Sequence, residues 1–131
     1  MQHAGLPDKT YDVGRSRCTF ISNHKIIVFM DTNAHTVYLS NIENGRYHIV
    51  HSDEIRSPKG ACPGIDGTVF VCSAETGTVV QLTTQGTVLA SHDVSMEWPR
   101  DVSLSRDGTR LAVSNRAEGR TMVKLFKVSA S

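Results

Sequence analysis

Asp66-Gly67-Thr68-Val69-Phe70-Val71 and Asp107-Gly108-Thr109-Arg110-Leu111-Ala112-Val113 are two copies of one pattern. They stand about forty residues apart, a spacing typical of repeat architectures. In each, an Asp-Gly turn runs into an alternating apolar stretch. A looser third copy has Asn23-His24-Lys25 ahead of Ile26-Ile27-Val28-Phe29. Asp-Gly suits a hairpin because both residues tolerate positive φ. No segment shows sustained helical periodicity, and β-branched residues dominate the apolar positions. Short strands repeating at this length predict β-propeller blades of four strands each. The expected fold class is therefore all-β, a β-propeller fragment of about three four-stranded antiparallel blades.

Working outward, Cys18–Ser22 and Ile26–Asp31 read as strands, followed by Thr36-Val37-Tyr38-Leu39. Asn44-Gly45 predicts a type I′ hairpin leading to an outer strand through Tyr47, Ile49 and Val50. The second blade is expected to have strands near Ala61–Ile65, Thr68–Ser73, Thr78–Leu82 and Thr87–His92. Pro58 and Pro63 offer two ways of aligning its start with the Trp98-Pro99-Arg100-Asp101 segment that opens the third. In that blade Asp101–Ser105, Arg110–Ser114 and Met122–Val128 are strand candidates, and a fourth strand is missing. The expected division is a tail or leftover outer strand over 1–16 and blades over about 17–56, 57–97 and 98–131.

Propellers close with roughly four to eight blades, so three leave sheet faces that need partners. The expectation is a portion of a larger ring, or a half-ring completed by a second copy. Because closed rings commonly finish a blade with a strand from the other chain end, the missing blades are expected ahead of residue 1. Formal net charge is +1, which gives no global attraction to polyanions. The distribution is uneven. Residues 61–98 hold four acids and no Lys or Arg, whereas 99–131 hold seven bases against three acids. Such asymmetry reads either as a basic face or, more commonly, as solvated strand edges.

Cys18, Cys62 and Cys72 form no Cys-x-x-Cys pair and no zinc-type spacing with the histidines. An odd thiol count, with no secretory leader or membrane-length apolar run, leads to a cytoplasmic expectation. His48 and His51 would project from opposite faces of a strand, which removes them as a metal pair. There is no nucleophile elbow and no phosphate-binding glycine loop. No catalytic residue, metal or cofactor is expected.

Pro99-Arg100-Asp101-Val102-Ser103-Leu104-Ser105-Arg106-Asp107-Gly108, with Leu111-Ala112-Val113-Ser114-Asn115, resembles the NHL and related six-bladed repeats. Val123-Lys124-Leu125-Phe126 is similar to the third strand of those repeats. The likeness extends over most of residues 17–128, although the Asp-x-x-Asn-x-Arg loop signature is absent. It is nearest to the C-terminal propeller of tripartite-motif ubiquitin ligases. That resemblance implies a non-catalytic recognition platform, with any ligase chemistry in domains absent here. A second resemblance, to senescence-marker/gluconolactonase-like hydrolases, implies a metal in the central channel. Only Asp31, Asp101 and Asn115 could serve it, and they lie on different strand types.

In a four-stranded blade, the loop that leads into the inner strand and the loop joining the middle strands share one face. That logic gathers Arg17, Lys59 and Arg100 around the inner-strand starts and puts Asn33, His35, Glu75, Arg116 and Arg120 on the middle loops. Arginine suits bidentate contact with phosphates, and Trp98 could stack a base. The binding residues expected are thus Arg17, Lys59, Trp98, Arg100, Arg116 and Arg120, with protein or single-stranded RNA as the partner over one face and no membrane. The plainer expectation makes Trp98 an anchor between blades and leaves the arginines solvated.

Overall fold

The computed structural model describes residues 16–21, 24–116, 118–119 and 121–128. The expected tail, apart from Ser16, lies outside the described residues, as does Arg120. Among the described residues, eleven strands make three antiparallel sheets, each a meander in chain order. The first sheet comprises β1 (Ser16–Ile21), β2 (Ile26–Asp31), β3 (Thr36–Asn41) and β4 (Tyr47–His51). The second comprises β5 (Pro58–Pro63), β6 (Thr68–Ser73), β7 (Thr78–Thr83) and β8 (Val88–Asp93). The third has β9 (Pro99–Leu104), β10 (Arg110–Asn115) and β11 (Val123–Lys127). The expected all-β blades are present, and the third lacks a fourth strand among the described residues.

Strand alternation decides which residues hold the blades together. On β2 the residues Ile26, Val28 and Met30 face the second sheet, where Val69, Val71, Val80 and Leu82 meet them in one buried cluster. The opposite face of the second sheet supplies Cys62, Phe70, Cys72 and Val79 to another cluster with Val102, Leu111 and Val113. Each four-stranded sheet is thus a wall that needs a neighbour on both sides. The inner strands β1, β5 and β9 are successive neighbours, with β5 in the middle. At Gly60 the second and third blades come so close that a Cβ would collide with the Arg100 carbonyl oxygen.

Two sheet faces have no described sheet against them. The first blade turns Phe20, Ile27, Phe29, Tyr38 and Ile49 outward, and the Phe29 and Tyr38 rings lie 5.6 Å apart. The third turns Ser103, Ala112, Ser114, Val123 and Leu125 outward, and Leu125 is 73% exposed. These are the repeat equivalents of faces that pack between blades elsewhere in the chain.

Three local expectations need correction. β5 starts at Pro58, three residues ahead of the anticipated Ala61, and β9 starts at Pro99. Proline at the first residue of a strand loses no ladder hydrogen bond, so it opens the strand and does not precede it. This pairs Pro58, not Pro63, with Pro99. Asn44-Gly45 is not a type I′ turn, because Gly45 (φ 73) is left-handed and Asn44 is not. The Asn41 side chain instead accepts the N–H groups of Glu43 (2.9 Å) and Asn44 (3.2 Å). The two Asp-Gly copies also diverge. Asp66 and Gly67 are both left-handed, whereas Asp107 accepts three hydrogen bonds from Ser105 and Thr109 and only Gly108 turns left. Those bonds hold the exposed Asp107 carboxyl down at about 2.

Burial pushes the Cys62 thiol up to about 12 and moves Cys72 upward as well, whereas Cys18 is exposed. A buried thiol that resists ionisation is a poor nucleophile. Near pH 8 a disulfide-exchange reagent is expected to titrate Cys18 alone in the folded chain. All three should react in denaturant. Fast native reaction of two or more thiols would contradict the packing between the second and third blades.

Candidate functional site

The register Ser16↔Asp31, Asp31↔Thr36 and Thr36↔His51 puts the start of β1, the β2–β3 loop and the end of β4 at one edge of the first sheet. The same arrangement in the other two sheets assembles a single loop-bearing face. The chain crosses this face twice between blades, through Ile55-Arg56-Ser57-Pro58-Lys59 and Met96-Glu97-Trp98-Pro99-Arg100. The two crossings match position for position. Ile55 and Met96 are buried plugs, Ser57 (φ 55) and Trp98 (φ 52) are left-handed, and a proline then opens the strand.

Each crossing is held by the polar residue that ends the second strand of its blade. Ser73 Oγ accepts the Arg56 N–H at 2.8 Å and donates to the Arg56 carbonyl at 3.2 Å. Asn115 Nδ2 donates to the Glu97 carbonyl at 2.8 Å, and Asn115 Oδ1 accepts the Met122 N–H at 2.9 Å. Asp31, their equivalent in the first blade, accepts the Ala34 N–H at 3.1 Å. All three are buried. The oxygens that the hydrolase resemblance needs at Asp31 and Asn115 are therefore engaged in shaping loops. Asp101, the third, sits 3.1 Å from the Arg17 guanidinium. Among the described residues, no group of three or more His, Cys, Asp or Glu could hold a metal ion.

Between the first two blades a polar cluster forms that sequence reading did not assemble. His35 occupies a left-handed position (φ 53) where the other two blades have Gly77 and Gly119. Its Nδ1 accepts the Ser57 N–H at 2.9 Å, so the proton of the neutral ring lies on Nε2. The 4.0 Å approach of Nδ1 to Glu75 is for that reason not an ion pair. Ser57 Oγ donates to Glu75 Oε2 at 2.9 Å, and the Arg56 guanidinium stands 3.8 Å from Glu75 Oε1. Ser, His and Glu meet here without the order a nucleophile requires. The hydroxyl faces a carboxylate, and the imidazole is spent on a backbone amide. The glycine positions in the neighbouring blades were the signal that could have drawn attention to His35.

Trp98 is 48% exposed and not the interblade anchor of the plainer expectation. The plug is Met96 two residues earlier, which turns Trp98 out of the core. Asn115 ties the Glu97-Trp98 backbone to the loop carrying the exposed Arg116, and Lys124 Nζ donates to the Ser95 carbonyl at 2.7 Å. Trp98, Arg100, Arg116 and Lys124 thus belong to one corner, partly offset by the exposed Glu97 and Glu118. Arg17 and Lys59 lie apart from it. They line a cleft of about 210 Å³ between β1, β5 and β9, together with Asp101.

Comparison with known proteins bears on the fold. The chain superimposes on hydrazine synthase of Kuenenia stuttgartiensis with a TM-score of 0.76 at 17% identity, covering 97% of this chain and 36% of that one. Virginiamycin B lyase from Staphylococcus aureus matches with a TM-score of 0.62 at 16% identity, covering 85% and 40%. A functionally unknown protein from Desulfotomaculum acetoxidans DSM 771 gives 0.54 at 19% identity, covering 79% and 38%. This is the fold of a partial β-propeller. The chain spans two fifths or less of these structures' length, and identities this low establish the fold alone. No family model and no curated protein matches the sequence.

Asn115→Ala removes two part-buried hydrogen bonds, to the Glu97 carbonyl and from the Met122 N–H. The expected cost is about 1–3 kcal/mol, read as a lower urea midpoint at unchanged m-value. An unchanged midpoint would mean that the crossing does not depend on this side chain.

Proposed function

We propose that these blades form part of a non-catalytic recognition platform of the NHL-propeller kind. Its loop-bearing face binds single-stranded RNA at the Trp98 corner. One observation carries the reading. A half-exposed indole is held on left-handed backbone, which costs a bulky L-residue about 1–2 kcal/mol. It lies outside the buried cluster between the blades, where Met96 fills the gap. Around it, Arg100 and Arg116 offer planar, forked donors to phosphates, and the indole offers a stacking surface to a base. Solved structures of this fold include enzymes. In this chain, however, the Ser57–His35–Glu75 cluster is ordered for structure, and the metal-side oxygens already serve other bonds.

The test exploits the single tryptophan of the chain. A short oligouridine should quench its fluorescence saturably, with affinity that falls as salt rises. Trp98→Gly, which leaves no tryptophan and is therefore followed through the polarisation of a labelled oligouridine, should weaken binding roughly tenfold or more, given about 1–3 kcal/mol per stacked base. The same change should leave stability equal or higher, since glycine accepts the left-handed backbone freely. Loss of stability with unchanged RNA affinity would sink the proposal. An acidic peptide that quenches Trp98 where oligouridine does not would make the ligand a protein.

The two outer sheet faces, in this reading, receive further blades from a longer chain or from a second copy. Light scattering on the purified chain separates the two. A folded dimer supports completion by a second copy, and a monomer or aggregate supports completion by additional chain.

A further inference from the structure

Asp31, Ser73 and Asn115 end the second strand of their blades, so counting back from them aligns the three copies residue by residue. Cys72 and Ser114 then stand where the first blade has Met30, and Phe70 and Ala112 where it has Val28. Through the strand register, Val123 is the counterpart of Val37 and Val79, and Leu125 that of Leu39. Val37, Leu39 and Val79 are fully buried in the clusters between blades, whereas Val123 is 64% and Leu125 73% exposed. The third blade thus carries the residues of a blade joint on a face that no described sheet covers.

Side-chain size indicates what fits that face. In each described joint, two residues on the second strand of one blade oppose two on the second strand of the next. Val28 and Met30 oppose Val69 and Val71, and Phe70 and Cys72 oppose Leu111 and Val113. The same positions are Ala112 and Ser114 on the open face of the third blade, and Ile27 and Phe29 on that of the first. Ala112 and Ser114 are the smallest pair at their positions, and Ile27 and Phe29 the bulkiest at theirs. Placed together, they bring a bulk of side chain comparable to that of the two described joints, as close packing requires. The Phe29 ring, 5.6 Å from that of Tyr38, forms a paired knob for the hollow over Ala112. A longer chain would set other blades against these two faces, and neither would then need to fit the other.

Each described crossing also carries an apolar plug three places before its inner strand opens, Ile55 before Pro58 and Met96 before Pro99. Val13, outside the described residues, stands at the same distance before Ser16.

We propose that a second copy of this chain seats the Ile27 and Phe29 face of its first blade on the Ala112 and Ser114 face of the third, with its own Val13 plugging the joint. Two copies of three blades then close one ring, within the roughly four to eight blades that propellers use. The contact is head-to-tail, and a rotation that returns to its start after two copies gives a closed dimer where any other gives larger rings or a filament. Closure covers Phe20 and Ile49 on the first blade together with Val123 and Leu125 on the third. This joint is independent of RNA binding at Trp98, and it commits both open faces to a second copy where the propeller reading alone also allows a longer chain.

Light scattering on the purified chain should give twice the mass of one chain. Ala112→Phe drives a second ring against Phe29. A closed pair contains the joint twice, so roughly tenfold from overpacking at each should raise the dimer Kd about a hundredfold. Ala112→Phe/Phe29→Val rebuilds the residue types of the second joint, Phe70 with Val113, and should restore the dimer. Leu125→Lys, at a position 73% exposed in one chain, should split the dimer while leaving the circular dichroism of the blades unchanged. A folded monomer of the unaltered chain, or an open-ended series of larger species, overturns the proposal. So does a dimer that Ala112→Phe and Leu125→Lys leave intact, because it uses another surface. A dimer insensitive to Val13→Asp overturns the plug. A dimer that does not bind oligouridine ends the RNA reading alone, and a monomer that binds it ends the joint alone.

Discussion

Crossing from the outer strand of one blade to the inner strand of the next is the hardest demand this fold makes of its chain. The crossing passes beside two packed sheets, where backbone polar groups cannot all reach water and must find partners inside. Ser73 and Asn115 meet that demand in the same way, each bonding the residue two places ahead of the strand-opening proline. With the carbonyl held, Ile55 and Met96 drop into the core as plugs. The residue after the carbonyl is turned left-handed, and the inner strand starts at the proline. Blade spacing, inner-strand register and the exposure of Trp98 all follow from that short segment.

The crossing also explains why binding candidates collect on one face. A side chain at the left-handed position points away from the core, so its identity is free of packing requirements. In the first crossing it is Ser57, and the neighbouring His35 and Glu75 are used to steady it. In the second it is Trp98, which is 48% exposed. The inner strands of the second and third blades each carry a β-bulge near their start. The scaffold is repetitive, and the left-handed position of the crossing is one place where the blades differ.

Much of the architecture was legible in the order of residues. The apolar alternation at Val69–Val71 and Leu111–Val113 has period two, and period two admits strands only. The Asp-Gly turns delimited those strands because few other pairs tolerate such backbone angles. Turn type was less legible. Asn44-Gly45 and Asp107-Gly108 both place a polar residue before glycine, yet neighbouring side chains (Asn41, Ser105, Thr109) decide the outcome through hydrogen bonds that no dipeptide rule contains. The strand start at Pro58 was missed for a related reason: proline breaks a ladder only from the second residue onward.

The sequence by itself determined the blade count and the strand periodicity, because these depend on local alternation and repeat length. It also determined that Cys62 and Cys72 have no metal-type spacing. Only the tertiary structure decided that Trp98 faces out while Met96 packs in, since both are large apolar residues in one short segment. Only it could show Asp31, Ser73 and Asn115 as equivalent buried locks, and bring His35, Ser57 and Glu75 together across two blades. Those outcomes rest on which surfaces meet when sheets pack, and contacts between residues far apart in the chain leave no periodic trace within any one copy of the repeat.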